Sequence, residues 1–304
     1  MSAAPGEGGF NRCQLVLLVL VTLAWGLNWP VLKTGVSGYP PLSFRALSMW
    51  LGLPVLWLAT RWLKVPLSVL RSDWSELGLL TLTNMVVWHV LAIVSLQSLS
   101  SGRAAILGYT MPIFSAVWGL LVFGQRLTSR QQLGIGAAAF GVALLLWHEF
   151  GRLTGKPWAA LGMLLAAAVW ALGTQQLRRT RIPVPTLALV WWMSVATTLV
   201  TSGLAWALER QHWGTVPPLV WAAVLYNAVL IFGFAQPAWL LLARDLPPAA
   251  SSLSVMMIPV LGTVSGAWAL NETQHWQDGA ALLLMGVAIA SVLWPARPAG
   301  AQRA

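Results

Sequence analysis

Hydrophobic residues in this chain neither alternate strictly nor repeat along one helical stripe. They gather in long uncharged runs, at 13–32, 46–60, 77–102, 104–125, 131–148, 157–177, 182–208, 211–243, 246–271 and 279–296. A helix that crosses a bilayer needs about 20 mostly apolar residues. Trimmed at turn residues, the runs predict helices at 14–33, 40–60, 76–98, 101–124, 131–148, 157–178, 184–208, 217–241, 248–270 and 277–295. The joints between them are too short to fold alone. The expected fold class is therefore an all-α membrane protein with ten transmembrane helices and no extramembrane domain. The first run lacks a small-residue cleavage site, and its Trp25, Asn28 and Trp29 suit a retained helix better than a signal peptide.

Composition closes off the alternatives. Apolar residues make up 58% of the 304 and charged residues 9%, too few charges to cover a soluble body of this size. The net charge of +10 comes from 18 Lys and Arg against 8 Asp and Glu. These cations are dispersed between apolar runs and form no basic face for nucleic acid, so they read as topology signals. With the N-terminus inside, twelve fall on the cytoplasmic side (Arg12, Arg61, Lys64, Arg71, Arg126, Arg130, Arg178, Arg179, Arg181, Arg244, Arg297, Arg303). Five fall outside (Lys33, Arg103, Arg152, Lys156, Arg210), and Arg45 sits within a span. That bias predicts both termini in the cytoplasm of a bacterial inner membrane. The lone Cys13 excludes an internal disulfide and a cysteine metal cluster. No metal, cofactor or catalytic residue is expected.

The stretch Pro112–Trp147 aligns without a gap onto Pro259–Trp294 at an offset of 147, matching Val117 with Val264, Gly119 with Gly266 and Gln125 with Glu272. Trp25 matches Trp170 at an offset of 145. The expected domains are thus two repeats, 1–150 and 151–304, of five helices each. An odd number inverts one half relative to the other, the layout of many secondary transporters, whose substrate site lies near the midplane between the halves.

These features resemble the drug/metabolite transporter superfamily, and within it the ten-helix EamA-type branch that includes YddG-type amino-acid exporters. The matching residues are Trp25-Gly26-Leu27-Asn28, Pro40-Pro41 with Arg45, Gly102-Arg103-Ala104-Ala105 leading to Pro112, and Pro259 with Asn271-Glu272. The resemblance implies export of small metabolites, amino acids foremost, by alternating access. One departure is Gln125, where the family pattern often has Glu; only the second half keeps the acid, at Glu272.

Polar groups inside a bilayer are candidates for function because hydrocarbon penalises them. All eight acids lie outside the predicted spans or at their ends, which argues against a carboxylate proton relay and against an acidic site for a cationic drug. His89 is the histidine nearest a span centre; it is either a packing residue or a cavity donor that touches substrate or carries a proton. At the 147 offset it matches Gln236. Arg45 either snorkels to outer phosphates or anchors a substrate carboxylate, and Arg103 carries the same two readings. Asn84 lies five residues from His89, about 140° away on an ideal helix. Asn28, Gln175 and Asn227 complete the interior polar set. Trp62, Trp74, Trp147, Trp158, Trp213, Trp276 and Trp294 fall near span ends as an interfacial belt. Trp25, Trp88, Trp170 and Trp239, with Tyr109 and Tyr226, lie deeper and suit the apolar wall of a small-molecule cavity. Trp118, Trp191 and Trp192 share that depth. Pro112 and Pro259 interrupt equivalent spans and are candidate hinges. Ala137 with Gly141 and Gly286 with Ala290 mark the fifth and tenth helices as closely packed scaffold.

The expected function is a secondary transporter working as a single chain on a small-molecule substrate, with the lipid bilayer its other partner. The alternative is a multidrug or nucleobase carrier of the same fold. An ATPase is excluded by the lack of a phosphate-binding loop, an enzyme by the lack of clustered catalytic side chains, and a channel by the lack of a filter or charged ring. Without a mid-membrane carboxylate, facilitated diffusion or weak coupling is expected, with His89 as the one visible proton carrier.

Overall fold

In the computed structural model, residues 12–151, 156–238 and 248–293 are described. They form α1 (Arg12–Gly38), α2 (Pro41–Trp62), α3 (Arg71–Leu96), α4 (Ser101–Leu121), α5 (Ser129–Gly151), α6 (Pro157–Leu177), α7 (Thr186–Glu209), α8 (Pro218–Ala238), α9 (Pro248–Leu270) and α10 (Trp276–Leu293). Among the described residues there is no strand. Seven of these, α1 to α4 and α6 to α8, are long and apolar enough to cross a membrane. In α9 and α10 the qualifying apolar portions, Met257–Leu270 and Trp276–Ser291, are shorter. The chain is an all-α membrane protein.

Proline opens α2, α6 and α8, where the first backbone N–H groups have no intrahelical acceptor and none is lost. Three rods are irregular. In α3 a π-helical turn, Leu82–Val86, separates two α-helical parts, and in α8 a longer one spans Asn227–Ala235. Side chains there bond carbonyls one turn back: Thr83 Oγ1 to Leu79 at 3.0 Å, Asn84 Nδ2 to Leu80 at 3.0 Å, Asn227 Nδ2 to Ala223 at 3.0 Å. Such local bonds compete with the regular ladder and accompany the wider turn. The π turn also changes the angle between Asn84 and His89 from its ideal-helix value. The third irregularity is a break in α4 at Tyr109–Thr110, with Pro112 at the start of the resumed helix. Pro259 lies inside an unbroken α9.

α1 packs against α8 and α9, and α6 packs against α3 and α4. α2 lies on α7 and α8, and α5 forms an extensive seam with α10. At that seam a β-carbon on Gly141 would stand 3.6 Å from the Ala281 Cα, so the small residue sets the helix spacing.

One end of the bundle, where α2 and α4 begin and α7 and α9 finish, holds a set of carboxylate contacts that join different helices. Glu209 accepts from the Leu42 and Ser43 amides at 3.0 and 2.8 Å and from Ser43 Oγ at 2.7 Å. Glu272 does the same for α4, taking the Ser101 amide at 2.8 and 2.9 Å and Ser101 Oγ at 3.0 Å. Each carboxylate meets the positive end of a helix dipole and satisfies amides that the helix cannot. Beside them, Arg103 Nε donates to Asp278 at 2.6 Å, and Asp278 also caps α10 by accepting from the His275 amide at 2.8 Å. The Arg103–Asp278 pair is almost fully buried. Of the two readings open for Arg103, the geometry supplies a third, an ion pair within the fold.

Replacing Asp278 by Asn leaves the Arg103 charge buried beside a weaker acceptor. Loss of a buried pair typically costs about 3–5 kcal/mol, so Asp278→Asn is expected to lower the melting temperature in detergent by roughly 6–20 °C. A thermal-shift measurement reads it, and Arg103→Met with Asp278→Leu should recover most of the loss.

Candidate functional site

The deep aromatic residues converge. Trp88 on α3 and Trp170 on α6 stand with ring centroids 6.3 Å apart, sharing a cluster with Phe114 and Trp118. Trp118 Nε1 donates to the Ala168 carbonyl at 2.8 Å, which fixes that edge. Tyr109, at the break in α4, meets Trp29 edge to face at 6.5 Å. Trp29 is wedged between α4 and α9: β-carbons on Gly108 and Gly262 would stand 3.1 and 3.0 Å from its ring. Trp25 packs with Tyr226 and Phe234, and Tyr226 donates to the Ala24 carbonyl at 2.8 Å. α1, α3, α4, α6 and α8 therefore all contribute aromatic surface to the interior.

The polar residues divide into two groups. Asn84 and Gln175 join helices. Asn84 is buried against α6, where a β-carbon on Gly173 would come within 2.7 Å of its amide. Gln175 Nε2 donates to Ser115 Oγ at 2.8 Å, and its Oε1 accepts from Arg179 at 2.7 Å. The others keep unsatisfied atoms inside the protein: Asn28 Oδ1, Arg45 Nε, His89 Nδ1 and Asn227 Oδ1 are buried without a hydrogen-bond partner. His89 lies 5.9 Å from the Phe232 ring and within electrostatic range of Arg45. Its ring is only half-buried, as are those of Trp88, Trp170 and Tyr109, so each presents a face that neighbouring side chains do not cover. Gln236 is half-buried just beyond the π turn of α8, and Trp239 lies outside the described residues.

Arg45 stands out. It is 5% exposed in the first turns of α2, so it does not reach a headgroup. Taking a guanidinium out of water costs several kcal/mol unless a partner compensates. The buried Nε finds none among the described residues. Near the same end a cleft of about 470 Å³ opens between α1, α8 and α9, lined by Lys33, Ser37, Val220, Leu270 and Glu272 among others. Lys33 Nζ donates to the Leu96 and Gln97 carbonyls at 3.0 Å each, at the negative end of α3. In the turn between α1 and α2, partial burial and then the Glu209 carboxylate hold the Tyr39 phenol above its ordinary pKa. Among the described residues no group of three or more His, Cys, Asp or Glu is placed to hold a metal.

A model of the EamA-like transporter family matches residues 13–147 and, a second time, 157–294. The chain belongs to that family. EamA-type relatives along nearly its whole length include the uncharacterized transporter YoaV of Bacillus subtilis, 24% identical over 89% of this chain and 94% of its own. The uncharacterized inner membrane transporter YedA of Escherichia coli is 27% identical over 92% of each. A probable amino-acid metabolite efflux pump of Escherichia coli is 28% identical over 92% of this chain and 95% of its own. A crystal structure 20% identical in sequence superposes with a TM-score of 0.67, covering 93% of this chain and 98% of that one, and shows the fold. The protein is a transmembrane transporter of the EamA type and not an enzyme.

Three features of this EamA-type interior escaped the sequence. Trp29 belongs with the deep aromatics, and only its closeness to Trp25 hinted at that. Ser194 and Thr197 on α7 bury hydroxyls that have no partner, but isolated Ser and Thr are common in membrane helices. Phe232 faces His89 only because α3 and α8 are both drawn in by α2.

Gly108 leaves room for two indoles at once, its missing β-carbon lying 3.1 Å from Trp29 and 3.2 Å from Trp88. Gly108→Val is expected to cost about 1–3 kcal/mol and to lower the melting temperature. Gly136→Val, where nothing lies within 4 Å, should melt with the parent protein in the same assay.

Proposed function

We propose that this transporter exports small zwitterionic metabolites, amino acids foremost, across a bacterial inner membrane by alternating access. In this reading the ten helices are ten spans, arranged as two inverted repeats of five with both termini in the cytoplasm. The family model's two consecutive matches support the halves. So does the packing, since α1 against α8 and α9 mirrors α6 against α3 and α4, while α2–α7 and α5–α10 pair across the halves. The inner-membrane location agrees with the name of the relative YedA, and the substrate class with that of the efflux-pump relative.

The observation that carries the proposal is the pairing of aromatic walls with a buried, uncompensated cation. A substrate carboxylate supplies the counter-charge that the Arg45 Nε lacks, with charge-assisted geometry well suited to a guanidinium. His89 Nδ1 and Asn28 Oδ1, both buried without a partner, are candidates for the ammonium and backbone-like groups. Trp88, Trp170 and Tyr109 face the apolar remainder. Pro112, beside the break in α4, and Pro259 serve as bending points in matching helices. Gln236 extends the lining along α8. A nucleobase carrier is the second reading, favoured by the Trp88–Trp170 pair, whose spacing leaves indole faces for a flat ring.

Counterflow in proteoliposomes with labelled amino acids, nucleobases and cationic dyes tests the assignment. Amino acids should exchange and dyes should not; movement of dyes alone would falsify the proposal. In the same vesicles Arg45→Leu should reduce amino-acid exchange at least tenfold, and His89→Ala should impair it while the yield of folded protein stays near normal. Parent-level flux in either variant removes that residue from the site.

A further inference from the structure

Two matching positions in the chain are built alike but carry different chemistry. A left-handed residue follows each of α4 and α9, Gly124 at φ 64° three residues past Leu121 and Asn271 at φ 52° directly after Leu270, 147 positions apart. The side chain that follows folds back over a glycine in both. Glu272 passes 2.6 Å from where a Gly266 β-carbon would stand, and Gln125 passes 2.5 Å from that of Gly119. Glu272 then captures the start of α4 through the Ser101 amide and hydroxyl. The helix starts also correspond, because Ser101 plus 147 is Pro248, the first residue of α9. Proline has neither an amide hydrogen nor a hydroxyl to donate, and Gln125 is an uncharged acceptor that lies exposed. Among the described residues the Gln125 side chain makes no such capture, so the one at the outer end of the α4–α9 pair has no described counterpart.

α9 lies against the first part of α4, with Gly102 beside Thr263 and Ala105 beside Gly262. Among the described contacts, the later part, Met111–Leu121, packs on α6 and α10.

We infer that Glu272 and Ser101 form a latch on the outer ends of α4 and α9, and that its missing inner twin biases the transporter toward the state open to the cytoplasm. This rests on the inverted-repeat reading above. The latch residues are positioning residues: they do not touch substrate, and they set which side the interior faces at rest. An exporter gains from that bias, since its site waits on the side where substrate is loaded, and the bound substrate must offset the latch for the outer end to part.

The test uses the full-length protein in membranes with Cys13→Ser, which removes the one native cysteine. Thr263→Cys is the reporter, buried beneath the latch against Gly102. A membrane-impermeant maleimide is applied from outside. Glu272→Ala should speed labelling at least fivefold in protein that still elutes as a single peak. Gln125→Glu with Pro248→Ser, which installs the inner latch and leaves Glu272 intact, should also speed it. Unchanged labelling in both variants overturns the proposal, and acceleration in the first alone overturns the asymmetry. If Glu272→Ala fails to fold, the double substitution decides by itself. Tags locating the termini on opposite faces end the inverted-repeat reading, whereas unchanged labelling with both tags inside ends the latch alone.

Discussion

Hydrocarbon offers no hydrogen bonds, so every backbone amide and every charge held within the membrane has to be answered by the protein. In the rod interiors the helical ladder does this. At the rod ends it fails, because four amides and four carbonyls are left over at each helix. The end of the bundle where α2 and α4 begin shows the solution. Glu209 and Glu272 cross to amides 166 to 171 residues away in sequence, Asp278 answers both Arg103 and the start of α10, and Lys33 covers the last carbonyls of α3. All but the local Asp278–His275 cap join different rods. The requirement to satisfy helix ends is therefore also what holds the rods in register, and removing one such partner acts on the arrangement as well as on local stability.

The rods themselves were legible because bilayer thickness imposes their length. The predicted 101–124, 157–178 and 248–270 coincide closely with Ser101–Leu121, Pro157–Leu177 and Pro248–Leu270. Their irregularities were not. The π turns at Leu82–Val86 and Asn227–Ala235 depend on Asn84, Thr83 and Asn227 bonding carbonyls of the preceding turn, a choice that hydrophobicity does not encode. The caps were equally hidden. Glu209 reads as an ordinary interfacial acid until α2 is placed beside α7. By sequence Arg103 and Arg45 carry the same two readings, with Arg45 favoured for the site, and the fold separates them further by giving Arg103 an aspartate and leaving the Arg45 Nε with none.

The candidate site was readable as a composition and unreadable as a geometry. Trp25, Trp88, Tyr109 and Trp170 stood out because indoles and phenols away from the interface need a reason. Which of them meet is decided by glycines on other helices. Gly108 and Gly262 admit Trp29 between α4 and α9, and the Trp88 ring lies 3.2 Å from where a Gly108 β-carbon would stand. An aromatic wall of this kind is a property of helix spacing, set by small residues, more than of the aromatic residues themselves.

The charge balance of the interior also constrains what can cross. The three acids at the end where α2 and α4 begin, Glu209, Glu272 and Asp278, are each engaged in helix caps or an ion pair. None is free to greet a cation. Arg45 is a buried cation, so a permeant cation entering its neighbourhood meets like charge in a low dielectric, where repulsion is only weakly screened. A carboxylate meets the reverse. For a zwitterion the attraction of the acid end outweighs the repulsion of the amine only if the two ends sit at different depths, the carboxylate toward Arg45 and the amine toward uncharged acceptors. Asn28 and Asn227 each leave a buried amide oxygen unused, which is the chemistry such an amine requires. A planar neutral base needs neither group and gains from stacking alone, so the electrostatics of this interior separates the two substrate classes more sharply than its shape does.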